Sequence, residues 1–217
     1  MNVNTIVRGD CFELMKGMPD NSVDVTFTSP PYNRKRNDKY ANYDDNIDDY
    51  LGWLERLTAE LRRVTKGHVF INIQKNYYNK RDVLRYLGNH AEEIVEIFVW
   101  GKSNPMPASG KNITNAYEFI VVIGDAPLKS NETYTKNMLI TSVNSNMTRK
   151  HKAVMKPEVA EFFISNFTKE GDVVLDPLLG LGTTAIACKR LNRSYIGFEI
   201  NEEYCDIAID RVNSEVK

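Results

Sequence analysis

Seven short apolar runs rich in β-branched and aromatic residues punctuate the chain: Thr5 to Arg8, Val23 to Thr28, His68 to Ile73, Ile94 to Trp100, Glu118 to Ile123, Val173 to Leu175 and Tyr195 to Phe198. Their length and composition predict strands. Between them the apolar period changes to three and four. Leu51, Leu54, Leu57, Leu61 and Val64 form one such stripe, and Val159, Phe162, Phe163 and Phe167 another, each predicting an amphipathic helix. Strands alternating with helices predict an α/β domain on a mostly parallel sheet with helices on both faces. Ala126 to Lys152 lacks this periodicity and is rich in Asn, Ser, Thr and Lys. It predicts an extended surface insertion, a kind of segment that more often carries function than core packing.

A length of 217 residues suits one domain spanning 1–217, and 42% hydrophobic with 26% charged residues is the composition of a soluble globule. No stretch approaches the roughly 20 apolar residues of a membrane span, and the first ten residues, MNVNTIVRGD, hold no signal-peptide apolar core. Cys11, Cys188 and Cys205 have no CxxC spacing, which argues against a disulfide scaffold or a metal site and for a reducing, cytoplasmic setting. A net charge of −1 excludes a global field that draws the protein to nucleic acid, so any such binding needs a local patch. Two candidates are Arg34, Lys35, Arg36 and Lys39, and Arg149, Lys150, His151 and Lys152. Taken alone, short basic runs are usually solvated surface.

The run Val173 to Leu175 leads into Asp176-Pro177-Leu178-Leu179-Gly180-Leu181-Gly182-Thr183-Thr184-Ala185 and then a helix. Gly180 and Gly182 allow a tight turn and close approach of a ligand to the backbone, and Thr183 or Thr184 can cap the helix. The next strand ends at Glu199, an acid placed to accept both hydroxyls of a ribose. Gly180-x-Gly182-x-x-Ala185 also satisfies a dinucleotide fingerprint. Only 32 residues follow Ala185, however, so most strands of the sheet lie upstream and the nucleoside-binding unit is the last of a circularly permuted sheet. Asp176 would sit awkwardly beside a pyrophosphate but suits a cofactor bearing an ammonium group.

Directly after the strand Val23 to Thr28 comes Ser29-Pro30-Pro31-Tyr32-Asn33. Two prolines stiffen this loop and remove two donors, which predicts carbonyls facing outward without internal partners. A target that donates hydrogen bonds fits such a loop. The Ser29 hydroxyl and Pro30 carbonyl can accept the two protons of a nucleobase amine while Tyr32 stacks on its ring. The carboxyl end of a strand is where α/β sheets bind ligands.

Ser29-Pro30-Pro31-Tyr32 resembles the catalytic motif of the amino-group DNA methyltransferases, and Asp176 to Thr184 resembles their S-adenosylmethionine loop. With the catalytic motif first and the cofactor loop last, the chain is similar to the β class of that family. The resemblance runs from Gly9-Asp10 to Phe198-Glu199. It implies a permuted, seven-stranded, Rossmann-like methyltransferase sheet with a small recognition insertion at 126–152. It further implies that Asp10 meets the cofactor's adenine amine and that Lys156-Pro157 flanks its methionine end. Asp176, Pro177, Leu178, Gly180, Gly182, Thr183, Thr184 and Glu199 then hold the rest. Trp100-Gly101-Lys102-Ser103-Asn104-Pro105 and Thr114 to Glu118 resemble segments lining the catalytic cleft. Leu179 and Leu181 replace the Phe and Ser of the usual loop, and Leu181 forgoes a hydroxyl, which lowers the expected affinity. The serine form of the catalytic motif leans toward N4 of cytosine over N6 of adenine.

The implied reaction is direct methyl transfer from S-adenosylmethionine to an exocyclic amine of a base flipped out of double-stranded DNA. No cysteine follows a proline, so the nucleophile of a ring-carbon methyltransferase is absent. Asn33, Arg34, Lys35, Arg36, Lys39, Arg149 and Lys150 are the expected DNA contacts, extended in a homodimer by a second subunit. An RNA or small-amine methyltransferase, or a DNA-binding protein with a degenerate loop, would share parts of the same pattern.

Overall fold

The apolar runs join into a single sheet in the computed structural model, which describes residues 2–34, 45–105, 107, 113–142 and 155–215. Its strands are β1 (Thr5–Arg8), β2 (Val25–Thr28), β3 (Val69–Ile73), β4 (Ile94–Lys102), β5 (Tyr117–Ile123), β6 (Met138–Thr141), β7 (Val173–Asp176) and β8 (Ser194–Glu199). They lie in the order β1-β8-β7-β2-β3-β5-β4-β6. Only β5 runs against its neighbours β3 and β4; every other adjacent pair is parallel. Among the described residues the sheet therefore has eight strands, not the seven expected. The additional strand, β6, is four residues long, lies at the edge beside β4 and exposes Met138 and Ile140; its short apolar run Met138-Leu139-Ile140 does not read as a strand because it stands in the polar 126–152 segment. Part of the predicted irregular insertion thus completes the sheet.

Among the described residues six helices cover the two faces: α1 (Cys11–Lys16), α2 (Tyr50–Val64), α3 (Lys80–Asn89), α4 (Pro157–Phe167), α5 (Thr183–Arg190) and α6 (Glu202–Ser214). Helix α2 starts where Asp49 accepts the Gly52 amide at 3.0 Å and buries Leu54, Leu57, Leu61 and Val64, the stripe read from the sequence. Arg63, in its last turn, donates to the Met15 and Met18 carbonyls at 2.7 and 2.9 Å and so satisfies the open end of α1. Pro157 begins α4, where its missing N–H costs no helical bond.

One core lies between the sheet and α1, α2 and α3; it contains Met15, Leu54, Leu57, Ile71, Ile73 and Tyr86. A second packs α4 and α5 on the opposite face, where Phe163 meets Phe27, Phe70 and Phe98 at ring-centroid distances of 5.2–5.7 Å, and a third, smaller cluster joins α5 to α6 through Ile186 and Ala208. Each such buried ring contributes on the order of 2–3 kcal/mol. Because β1, β8, β7, β2 and β3 are parallel, the loops that leave their carboxyl ends share one rim of the sheet. The two candidate loops follow the adjacent strands β2 and β7.

Candidate active site

At the end of β7, Asp176 is 5% exposed and fully engaged. Its Oδ1 accepts from the Thr28 hydroxyl at 2.8 Å and the Leu178 amide at 3.2 Å, and its Oδ2 accepts from the Thr184 hydroxyl at 2.6 Å. Thr28 is the residue before Ser29, and Thr184 lies in the first turn of α5. One carboxylate thus ties the Pro-Pro-Tyr loop to the glycine bend, bringing together residues 148 positions apart. Burial pushes the Asp176 carboxyl up to about 6, against the three hydrogen bonds, which pull it down.

The bend itself is shaped by left-handed backbone at Gly180 (φ +57°) and Gly182 (φ +82°). Space around Gly180 is open, with no atom within 4 Å of where a Cβ would stand, so a ligand can reach its backbone. Gly182 is crowded: a Cβ there would lie 3.1 and 3.2 Å from Ala208 Cβ and Cα. Gly182→Ala is therefore expected to destabilise the fold by about 2 kcal/mol, read as a lowered thermal midpoint, because strain and a clash add at one position. Gly182, not a threonine, occupies the cap position of α5, which corrects the expected capping role. The Thr183 hydroxyl donates to the Met155 carbonyl at 3.3 Å and Thr184 is held by Asp176. The first contact brings the Lys156-Pro157 start of α4 beside the bend, where the Lys156 ammonium donates to Ser142 Oγ at 2.6 Å. Pro177 is buried, and Leu179 packs its side chain onto Gly197, where a Cβ would meet Leu179 Cδ2 at 2.6 Å.

Glu199 ends β8, buried, with Oε2 accepting the Gly180 amide and Oε1 the Asn201 amide, both at 2.8 Å. Burial raises its pKa above the ordinary glutamate value. Asp10 lies on the neighbouring strand end, since the Gly9 amide donates to the Glu199 carbonyl at 3.0 Å. Asp10 is exposed, and its Oδ1 caps α1 through the Phe12 and Glu13 amides. All the expected cofactor residues thus gather on one rim.

The Ser29-Pro30-Pro31-Tyr32 loop is held from within more firmly than the sequence implies. Tyr50 donates to the Pro31 carbonyl at 2.7 Å, and Asn76 and Asn79 donate to the Tyr32 carbonyl at 2.7 and 2.9 Å. Two of the carbonyls expected to face outward without partners, those of Pro31 and Tyr32, are therefore bonded from within. Asn33 is corrected from a DNA contact to a loop lock. It is 3% exposed, adopts φ +46°, and clasps the Ile47 carbonyl and amide with its side-chain amide at 2.9 and 3.2 Å. Arg34 folds back, its guanidinium 5.2 Å from the Tyr32 ring centroid and donating to Gln74 Oε1 at 2.7 Å. Lys35, Arg36, Lys39, Arg149 and Lys150 lie outside the described residues.

Behind the loop is a buried polar cluster. Along the face that packs on α4, Phe70 is followed by Asn72 and Gln74, Ile120 by Glu118, and Trp100 by Lys102. Each strand on this face changes from apolar to polar where it reaches the catalytic loop. Glu118, 3% exposed, accepts from Tyr32 Oη at 2.7 Å and Asn72 Nδ2 at 2.8 Å on Oε2. On Oε1 it accepts from Gln74 Nε2 at 3.0 Å and is ion-paired with Lys102. Burial, and then the Glu118 charge, hold the Tyr32 phenol well above its ordinary pKa. Asn115 donates to the Lys75 carbonyl at 2.7 Å, drawing the 114–118 segment over β3. Glu118 and Lys102 fall in segments the family resemblance placed at the cleft. Asn72 and Gln74 were missed, although two amides at alternate positions after an apolar strand were the available signal.

Cys11, Cys188 and Cys205 are buried, and burial pushes the Cys11 thiol up to about 12.

Residues 23–210 match the profile of the N6/N4 DNA methylase family. The chain is 31% identical over 239 residues to the type II methyltransferase M.MwoI of Methanothermobacter wolfeii, covering 98% of this chain and 35% of that protein. It is 28% identical over 252 residues to the type II methyltransferase M.HinfI of Haemophilus influenzae, covering 99% of this chain and 69% of that protein. The chain thus spans about a third of the first relative's length. Among solved structures, the fold is similar to the PvuII cytosine-N4-specific DNA methyltransferase, with a TM-score of 0.80 at 20% identity over 100% of this chain and 89% of that one. The M1.HpyAVI complex with SAM superposes with a TM-score of 0.71 at 28% identity over 95% and 98% of the two chains. The shared rim, the Pro-Pro-Tyr loop joined through Asp176 to the glycine bend, and a profile match across most of its length make this chain a member of the N6/N4 DNA methylase family.

Proposed function

We propose that this chain transfers a methyl group from S-adenosylmethionine to the exocyclic amine of a base flipped out of double-stranded DNA, with N4 of cytosine favoured over N6 of adenine. The observation that carries this reading is the Asp176 carboxylate bridging Thr28 and Thr184, because it fixes the Ser29–Tyr32 loop and the glycine bend against each other. The residues present fit the cofactor. Gly180 leaves open space against its backbone, Glu199 offers the ribose a buried carboxylate, and Asp10 Oδ2 is the atom proposed to meet the adenine amine. Lys156 and Pro157 are proposed to flank the methionine end, and Asp176 to act on the cationic centre through its charge rather than by contact. When bound, S-adenosylmethionine supplies an electrophilic methyl group.

The chain's own part is positioning and electrostatics. An exocyclic amine is a weak nucleophile because its lone pair is delocalised into the ring. Acceptance of its protons by Ser29 Oγ and the Pro30 carbonyl localises that pair, and the rigid loop holds it in line. Tyr32 supports the ring by stacking, which requires the Arg34 guanidinium to leave the Tyr32 face. Arg34, Lys35, Arg36, Lys39, Arg149 and Lys150 are proposed to contact phosphates, the 126–152 segment to recognise the site, and a second copy of the chain to extend the interface. The serine of the loop is the feature that favours cytosine.

Transfer of tritiated methyl groups to in vitro amplified genomic DNA, to RNA and to free nucleosides tests the reading, and digestion of the product identifies the base. Label in DNA is expected; label only in RNA or nucleosides rejects the proposal. Glu199→Ala is expected to weaken S-adenosylmethionine binding at least about tenfold by calorimetry with little change in saturated turnover, since a ribose acceptor is lost while the catalytic loop is untouched.

A further inference from the structure

We propose that Glu118 is a positioning residue that ends a one-way proton relay, running from Ser29 Oγ through Tyr32 Oη to Glu118 Oε2, and that this relay drains the proton the target amine must lose. The inference rests on the function proposed above.

The hydrogen bonds have only one consistent direction. The Glu118 carboxylate, ion-paired with Lys102, can only accept, so Tyr32 spends its single proton on Oε2 at 2.7 Å. The Ser29 Oγ to Tyr32 Oη contact of 3.0 Å must then be donated by Ser29. A lone pair on Ser29 Oγ is left for a proton of the substrate amine. Asn72 enforces this order. Its Nδ2 stands 3.2 Å from Ser29 Oγ, 2.9 Å from Tyr32 Oη and 2.8 Å from Glu118 Oε2. Its buried Oδ1 bonds no donor among the described residues. Turning the amide over would direct that oxygen at Glu118 Oε2, and the repulsion keeps the amine end toward the three oxygens. Oε1 is occupied by Gln74 and Lys102, which leaves Oε2 to the relay. Burial keeps the Tyr32 phenol protonated, so it passes a proton on only as it receives one.

The step balances. The amine lone pair forms the N–CH3 bond as the S–CH3 bond breaks and its electrons remain on sulfur, leaving one surplus proton and a positive charge on nitrogen. That proton moves to Ser29 Oγ, the serine proton to Tyr32 Oη and the tyrosine proton to Glu118 Oε2. A neutral methylated amine and a neutral carboxylic acid result, and the acid returns its proton to water as product leaves.

The test is single-turnover methyl transfer to amplified genomic DNA between pH 6 and 9, with S-adenosylmethionine affinity measured by calorimetry and folding by circular dichroism. Glu118→Gln keeps a hydrogen-bonding side chain and removes the proton acceptor. Its affinity is expected to stay within about twofold of wild type while transfer falls about 10²-fold. Its rate should climb about tenfold per pH unit over the range where wild type is flat, because hydroxide then takes the proton. A wild-type rate, or a loss with an unchanged pH profile, overturns the relay. Should Glu118→Gln fail to fold, Tyr32→Phe decides by the same two criteria, since it keeps the ring and removes the middle hydroxyl. Wild-type protein that binds S-adenosylmethionine but leaves DNA unlabelled rejects the parent function and the relay with it. Wild-type labelling matched by both variants rejects the relay alone.

Discussion

Tyr32→Ala is expected to lower methyl transfer by about 10³-fold while leaving S-adenosylmethionine affinity within about threefold. The substitution removes the ring proposed to hold the flipped base and the hydroxyl that joins Ser29 to Glu118. Loss of one preorganised transition-state contact typically costs about 10²–10³ in rate, and a lost stacking surface adds to it. The loop itself should survive, because its backbone is held by groups other than the Tyr32 side chain. Tyr50 secures the Pro31 carbonyl, Asn76 and Asn79 secure the Tyr32 carbonyl, and Asn33 clasps Ile47. Single-turnover transfer and calorimetry separate the two quantities. A rate within tenfold of wild type would show that the base is held somewhere other than on this loop.

Asp176→Asn is expected to stabilise the protein at neutral pH while weakening the cofactor site. The Asp176 carboxyl is raised from 3.8 to about 6 by burial. An acid raised in the folded state contributes stability that is full below the unfolded value of about 4 and is lost as pH climbs through about 6, since the folded form then binds more protons than the unfolded one. Two units correspond to about 3 kcal/mol. Asparagine is neutral at every pH, can accept from Thr28 and can donate to Thr184 Oγ1, so it escapes that loss. Urea unfolding of both proteins from pH 4.5 to 8 should show the variant's advantage growing to about 2–3 kcal/mol near pH 6.5 and then levelling. Calorimetry should show S-adenosylmethionine binding at least about tenfold weaker, because the negative charge proposed to act on the cofactor's cationic groups is gone. A difference in stability that does not vary with pH would contradict this account.

How much of this could be read from residues alone follows from the range of the forces involved. Strand and helix identity is a local matter of periodicity, and the seven apolar runs and the two stripes at Leu51 to Val64 and Val159 to Phe167 all became elements with little shift in their bounds. β6 escaped because its apolar run is only three residues long and is flanked by polar residues. The motif residues were legible because glycine at positive φ and paired prolines have few other uses. What each side chain touches depends on partners far along the chain. Thr184 looks like a cap in sequence and bonds Asp176 in space, while Asn33 looks exposed between Tyr32 and Arg34 and instead holds Ile47. The Asn72–Glu118 cluster required three strands to be assembled before its meaning appeared.

The pairing of β1 with β8 also sets a timetable for synthesis. β1, at Thr5–Arg8, is made before the other described strands and sits at the sheet edge with β8 as its neighbour, yet β8 begins only at Ser194. At about 5–20 residues per second the ribosome needs roughly 10–40 s to supply that partner. During this interval β1 must wait without β8 beside it, so nascent chains stalled before Ser194 should be sensitive to proteases and bind chaperones, whereas those in which β8 and α6 have left the ribosome should not.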